Sequence, residues 1–219
     1  MKYKGVIFDL DGTLLDTKQD LCDCFNRAAA RYGFPGHTPD DFILCVGWGT
    51  RRMIKLALPA AATEEEANAV FAAHQENYSK GLLNRTKPFP GFHETLRALA
   101  GGGLALAVLS NKPDVQTQAL IETLLGDIPF RVIFGQREGK PVKPDPGVPL
   151  EIAALMGLDP AEVAFVGDSD VDMETARNAG MYPVGVTWGY RERELIRKAG
   201  ARFLADKPED LTTLLLKPE

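Results

Sequence analysis

Cysteine is scarce in this chain and badly placed for cross-linking. Cys22, Cys24 and Cys45 are its three cysteines, and they form neither an even disulfide set nor a spaced zinc pattern. A disulfide-stapled scaffold is thereby excluded, and free thiols in a reducing compartment are expected. No apolar run approaches the ~20 residues of a membrane span. No basic and apolar leader is legible at the start, so a cytoplasmic protein with no membrane partner is expected. Positive charge is also short, since 25 Lys and Arg face 30 Asp and Glu for a net charge of −5. Affinity for a phosphate backbone rests on clustered Lys and Arg, so the expectation is no nucleic-acid partner. Small anionic partners stay open through local positive charge. The 219 residues, 45% apolar and 25% charged, contain no internal repeat or low-complexity segment and fit an ordinary globular chain of one or two domains.

What is present begins with Val6-Ile7-Phe8-Asp9-Leu10-Asp11-Gly12. An uncharged apolar run is what a central strand covered on both faces needs. Period-2 geometry sends Asp9 and Asp11 to the same side as the chain leaves the sheet, and Gly12 permits a sharp turn there. Two neighbouring carboxylates repel unless a cation or a shared proton relieves them, and the hard-oxygen answer is Mg²⁺. A surface turn rich in Asp and Gly is the plainer alternative. Three further strand-end patches follow: Leu104 to Leu109 runs into Ser110-Asn111-Lys112-Pro113, Arg131 to Phe134 leads to Lys143-Pro144, and Val163 to Val166 leads into Gly167-Asp168-Ser169-Asp170-Val171-Asp172. In the last, Asp172 falls four residues after Asp168, on the same helical face.

Between the first patch and the rest, residues 17–87 read as helices without strand-like alternation. Apolar positions at helical spacing predict one from Asp20 to Tyr32, and others are predicted over Pro39 to Cys45, Thr50 to Leu58 and Thr63 to about Lys80. Val46-Gly47-Trp48-Gly49-Thr50-Arg51-Arg52 is the unusual piece. Two glycines bracket a tryptophan, and a helix start with a hydroxyl and arginines can form an anion site. The alternative is that Trp48 plugs a helical core while the arginines are solvated. From Pro90 onward strands and helices alternate, which predicts a mostly parallel sheet with its site at the carboxyl ends of the strands.

The stretch Asp9-Leu10-Asp11-Gly12-Thr13-Leu14-Leu15-Asp16 resembles the first motif of the haloacid dehalogenase superfamily, phosphatase branch. Ser110, Lys143 and Asp168 with Asp172 resemble its second to fourth motifs, in the right order. The resemblance implies an α/β fold, a Rossmann-like parallel sheet core (1–16 and 88–219) with an inserted all-helical cap domain (17–87) hinged near Gln19-Asp20 and Pro88 to Gly91. It implies Asp9 as nucleophile and Asp11 as acid and base. Ser110, Asn111 and Lys143 would bind phosphoryl oxygens, with Thr50 and Arg51 on the cap loop offered to the substrate. Mg²⁺ would be held by Asp9, the Asp11 backbone carbonyl and Asp168, with Asp172 holding its water shell or Lys143. Within the branch the chain looks most like phosphoglycolate phosphatases, which implies a small phosphorylated metabolite as partner and phosphoglycolate as the favoured one. A phosphomutase resembling β-phosphoglucomutase, a pyrophosphate or nucleotide phosphatase, and a non-catalytic binding protein are the alternatives. Monomer and homodimer are both compatible with the sequence.

Overall fold

The computed structural model describes residues 3–81 and 83–217. The chain enters through β1 (Gly5–Phe8) and a short β2 (Leu15–Asp16), then α1 (Lys18–Arg31), α2 (Pro39–Phe42) continued by a 3₁₀ turn (Ile43–Cys45), α3 (Thr50–Ala57) and α4 (Glu64–Gly81). After β3 (Lys87–Pro88) come α5 (Phe92–Gly101), β4 (Ala105–Pro113), α6 (Asp114–Leu125), β5 (Phe130–Gln136), α7 (Gly147–Met156), β6 (Val163–Gly167), α8 (Asp170–Asn178), β7 (Tyr182–Val186), α9 (Arg193–Lys198), β8 (Phe203–Ala205) and α10 (Glu209–Leu215). No helix among the described residues is long and apolar enough to cross a membrane.

Six strands form one sheet in the order β5-β4-β1-β6-β7-β8, and every neighbouring pair in it is parallel. The fold is therefore α/β with a Rossmann-like core. Strand β1 is central because its side chains are apolar on both sides. Val6 and Phe8 join one buried cluster and Ile7 the other, all fully buried. Each such side chain contributes roughly 1.5–3 kcal/mol when taken from water, and a one-residue slip would exchange the two faces. Its register is fixed twice, Phe8 lying opposite Val108 of β4 and Val166 of β6. Strands β4 and β5 are wound to one side of β1, and β6 to β8 to the other. The loops leaving the carboxyl ends diverge over β1, where a crevice forms.

The four helices predicted between Thr17 and Lys87 are present, with the second resolved into α2 and its 3₁₀ continuation. A strand-free segment was expected, yet β3 pairs antiparallel with β2, Leu15 opposite Pro88 and Asp16 opposite Lys87. Two residues per strand leave no room for period-2 alternation, so sequence periodicity carries no signal for it. Buried Asp20 draws the two crossings together, accepting bonds from the Arg85 and Thr86 amides and, at 2.7 Å, from the Thr86 hydroxyl. Helix α7 has no counterpart in the sequence expectation. Pro146 and Pro149 obscured it, but Pro146 precedes the helix as its N-cap and Pro149 lies in the first turn, where a missing N–H costs nothing.

Candidate active site

Asp9 follows β1 without leaving the ladder, its N–H donating to Val166 O at 2.9 Å. The chain then turns at Gly12, whose φ of +82° is the left-handed region. A Cβ at Gly12 would also collide with the Asp168 carboxylate. The first and fourth strand-end patches are thus in backbone-to-side-chain contact. Beyond β6, Ser169 caps α8 through a reciprocal pair with Asp172, its hydroxyl donating to Asp172 Oδ2 at 2.6 Å. The helix accordingly starts at Asp170.

Three carboxylates converge here. One oxygen from each of Asp9, Asp168 and Asp172 lies within 4.8 Å of the others, and all three residues are buried. Lys143, in the loop after β5, sends its buried ammonium between two of them, 2.6 Å from Asp9 Oδ1 and 2.7 Å from Asp172 Oδ1. Burial opposes the charge on Lys143, but Asp172 and Asp9 outweigh it and hold the ammonium protonated. Burial also pushes the Asp9 carboxyl well above its usual range, with Asp172 and Asp168 acting the same way against Lys143. Asp168 is pushed up to about 7, by burial first and by Asp172 second, although the Tyr190 N–H donates to it at 2.6 Å. With all three carboxylates ionised, one ammonium leaves two negative charges over, and a divalent hard cation meets that surplus with all-oxygen ligands.

Asp11 is engaged through both oxygens. The Thr17 hydroxyl donates to Oδ1 at 2.6 Å, and Lys112 Nζ lies 3.0 Å from Oδ2. Lys112 also donates at 2.9 Å to the hydroxyl of Tyr78, a fully buried residue of α4. The Tyr190 hydroxyl accepts from Thr17 N at 2.8 Å. Its neighbour Arg191 donates to three carbonyls of the segment opposite: Ile43 at 2.9 Å, Leu44 at 3.2 Å and Val46 at 2.6 Å. The resulting cleft, about 550 Å³ with its solvent-open part, has Asp9, Asp11, Ser110, Lys143 and Asp168 on one wall and Gly47, Gly49, Thr50 and Met53 on the other.

Comparison with known proteins gives this arrangement its family. Residues 6–186 match the haloacid dehalogenase-like hydrolases. The chain is one of them. Proteins named phosphoglycolate phosphatase from Haemophilus influenzae and Aquifex aeolicus are 32% and 30% identical to the hydrolase, across 98% and 96% of its length and 99% and 95% of theirs. A crystal structure from Lactobacillus delbrueckii subsp. bulgaricus, provisionally named phosphoglycolate phosphatase, is similar over the whole of both chains with a TM-score of 0.95 at 32% identity.

In the hydrolase, Asp9, Asp11, Ser110, Asn111, Lys143, Asp168 and Thr50 all line the cleft. Two readings from sequence need correction. Asn111 has no amide group to spare for a ligand's oxygens: its Nδ2 donates to Gly47 O and Lys143 O, each at 3.0 Å, and its Oδ1 accepts from Lys143 N at 2.8 Å. It ties the two walls together and sets the Lys143 backbone. Arg51 turns away from the cleft, stacking 4.3 Å above the Phe71 ring and donating to Asn68 at 2.9 Å. Helical spacing puts those α4 partners beside it, and an aromatic face holds a guanidinium well. Trp48 plugs no core; it is half-buried beneath Arg52, 4.2 Å away. Thr17, Tyr78, Lys112, Tyr190 and Arg191 were assigned no role from sequence. Lys112 alone carried a signal, sitting beside Ser110 at a strand end; the others reach the site from elements distant in sequence.

Proposed function

We propose that this hydrolase is a Mg²⁺-dependent phosphatase acting on a small phosphate monoester, phosphoglycolate first, through an aspartyl-phosphate. Residues 17–87 form its cap and residues 1–16 and 88–219 its catalytic core. The observation that carries this reading is the buried Asp9–Lys143–Asp172 cluster opening onto the cleft beside Ser110 and Asp11. A carboxylate oxygen of Asp9 attacks phosphorus, the ester P–O bond breaks, and Asp11 gives its proton to the departing oxygen. Asp11 then takes a proton from the water that attacks the aspartyl-phosphate, releasing inorganic phosphate and restoring Asp9. Lys143 offsets charge on the transferring group. The Ser110 hydroxyl, which accepts from Lys112 N at 3.2 Å, has its proton to give a phosphoryl oxygen. Asp9, the Asp11 carbonyl and Asp168 would hold Mg²⁺, which would supply further neutralisation of that charge. The substrate name comes from the full-length relatives named phosphoglycolate phosphatase.

The test is phosphate release with Mg²⁺ across phosphoglycolate, sugar phosphates, nucleotides and pyrophosphate, with Asp9→Asn as the control. Phosphoglycolate is expected to give the highest kcat/KM, and the nearly isosteric variant to lose turnover while keeping its fold. Silence across the panel, or turnover by folded Asp9→Asn, would overturn the proposal.

A further inference from the structure

We propose that Lys112 selects the substrate by binding a second anionic group, a carboxylate, on the leaving group of the phosphate ester. The inference rests on the phosphatase reading and narrows it to esters with a negatively charged tail. Among the described residues lining the cleft, three are cationic: Lys112, Lys143 and Arg191. Lys143 sits against Asp9 and Asp172, on the side of the transferring phosphoryl group, and Arg191 gives three of its five N–H groups to backbone carbonyls of the segment opposite. Lys112 is set apart by its place, beside Asp11 and so on the leaving-group side of the cleft. An ammonium has three N–H bonds, and its contacts here are Asp11 Oδ2 at 3.0 Å and the Tyr78 hydroxyl at 2.9 Å, which leaves one donor. Its side chain is only 3% exposed, so a carboxylate meeting it is drawn out of water and the ion pair is strong.

Position supports the same reading. Asp11 must come within hydrogen-bond reach of the ester oxygen to protonate it. In an ester of glycolate the carboxylate carbon is one methylene beyond that oxygen. The group that touches Asp11 is therefore within reach of the carboxylate, and that group is Lys112. Arg51, the sequence candidate for this task, is occupied on the outer face of the helical segment. Tyr78 anchors the ammonium from α4, so helical segment and core share the selection.

The experiment compares kcat/KM for 2-phosphoglycolate, 2-phosphoglycolamide and ethyl phosphate in wild type and Lys112→Met, with Mg²⁺ present. Wild type is expected to favour the acid over the amide by about tenfold or more. Lys112→Met is expected to lower the ratio of acid to ethyl phosphate on the order of 100-fold, mostly through KM. Tyr78→Phe, which keeps the ring and removes the anchoring hydroxyl, lowers the same ratio by a smaller factor. Acid and amide turned over alike by wild type would overturn the proposal without any variant having to fold. Equal losses on all three esters in Lys112→Met would overturn it too, leaving Lys112 as a support for Asp11. Failure of wild type on every ester would instead refute the phosphatase reading beneath it.

Discussion

His74 makes acid stability a quantitative test of this structure. The residue sits on α4, 1% exposed, with its ring stacked on Tyr78 at 5.7 Å and an interplanar angle of 10°. Neither ring nitrogen has a hydrogen-bond partner among the described residues. Burial lowers its pKa to about 3, helped by the nearby charges of Lys112 and Arg27. An unfolded histidine takes its proton near pH 6.5. Between those values the unfolded state binds more protons, so stability is lost as pH falls from about 6.5 towards 3. At pH 5 the separation of about 1.5 units from the unfolded pKa corresponds to about 2 kcal/mol at 1.36 kcal/mol per unit. His74→Phe keeps an aromatic ring and removes both the titration and two unsatisfied buried nitrogens. Urea unfolding of wild type and variant at pH 7.5 and pH 5.0 measures the effect, and other titrating groups cancel in the difference. The pH-dependent loss is expected to shrink by about 2 kcal/mol in the variant, with stability at pH 7.5 equal or higher. Equal acid sensitivity in the two proteins would refute the burial of a neutral His74.

Two further substitutions separate the chemistry from the surface of the helical segment. Lys143→Met strands three buried carboxylates, which is expected to cost about 3–5 kcal/mol in urea unfolding and to lower kcat at least 100-fold; near-native turnover would remove Lys143 from phosphoryl binding. Arg51→Ala gives up one stacking contact, with an expected cost of at most about 1 kcal/mol and a KM for phosphoglycolate within about twofold of wild type. A tenfold rise in KM would return Arg51 to the cleft.

What was legible in the sequence was whatever a short window can encode. The uncharged run at Val6 to Phe8 announced a central strand, and the acids and lysine beyond each strand end announced where charge gathers. Asp168 and Asp172 were a readable pair because helical spacing and the capping pattern at Ser169 are local. Tyr78 was not readable, since its neighbours on α4 give it the look of an ordinary core aromatic and only the fold brings it to Lys112. Arg191 likewise reads as one charge among several in Arg191-Glu192-Arg193-Glu194. Its acceptors are backbone carbonyls, which leave no mark in side-chain patterns. The misplaced roles of Arg51 and Asn111 share a cause: residue type told what each could bind, while competing partners brought close by the fold decided what it does bind.

The arginine contacts at Ile43, Leu44 and Val46 bear on how the two walls of the cleft are joined. The three acceptors lie on one tight turn, and a single planar guanidinium meets all of them through its two terminal nitrogens. One side chain thus joins the two walls by three bonds at a single point, as a latch does. Tyr190, one residue before the latch, holds the Asp168 carboxylate and the start of α1. Two adjacent residues thus fasten the helical wall, the start of α1 and one of the cleft's acids to a single turn of chain.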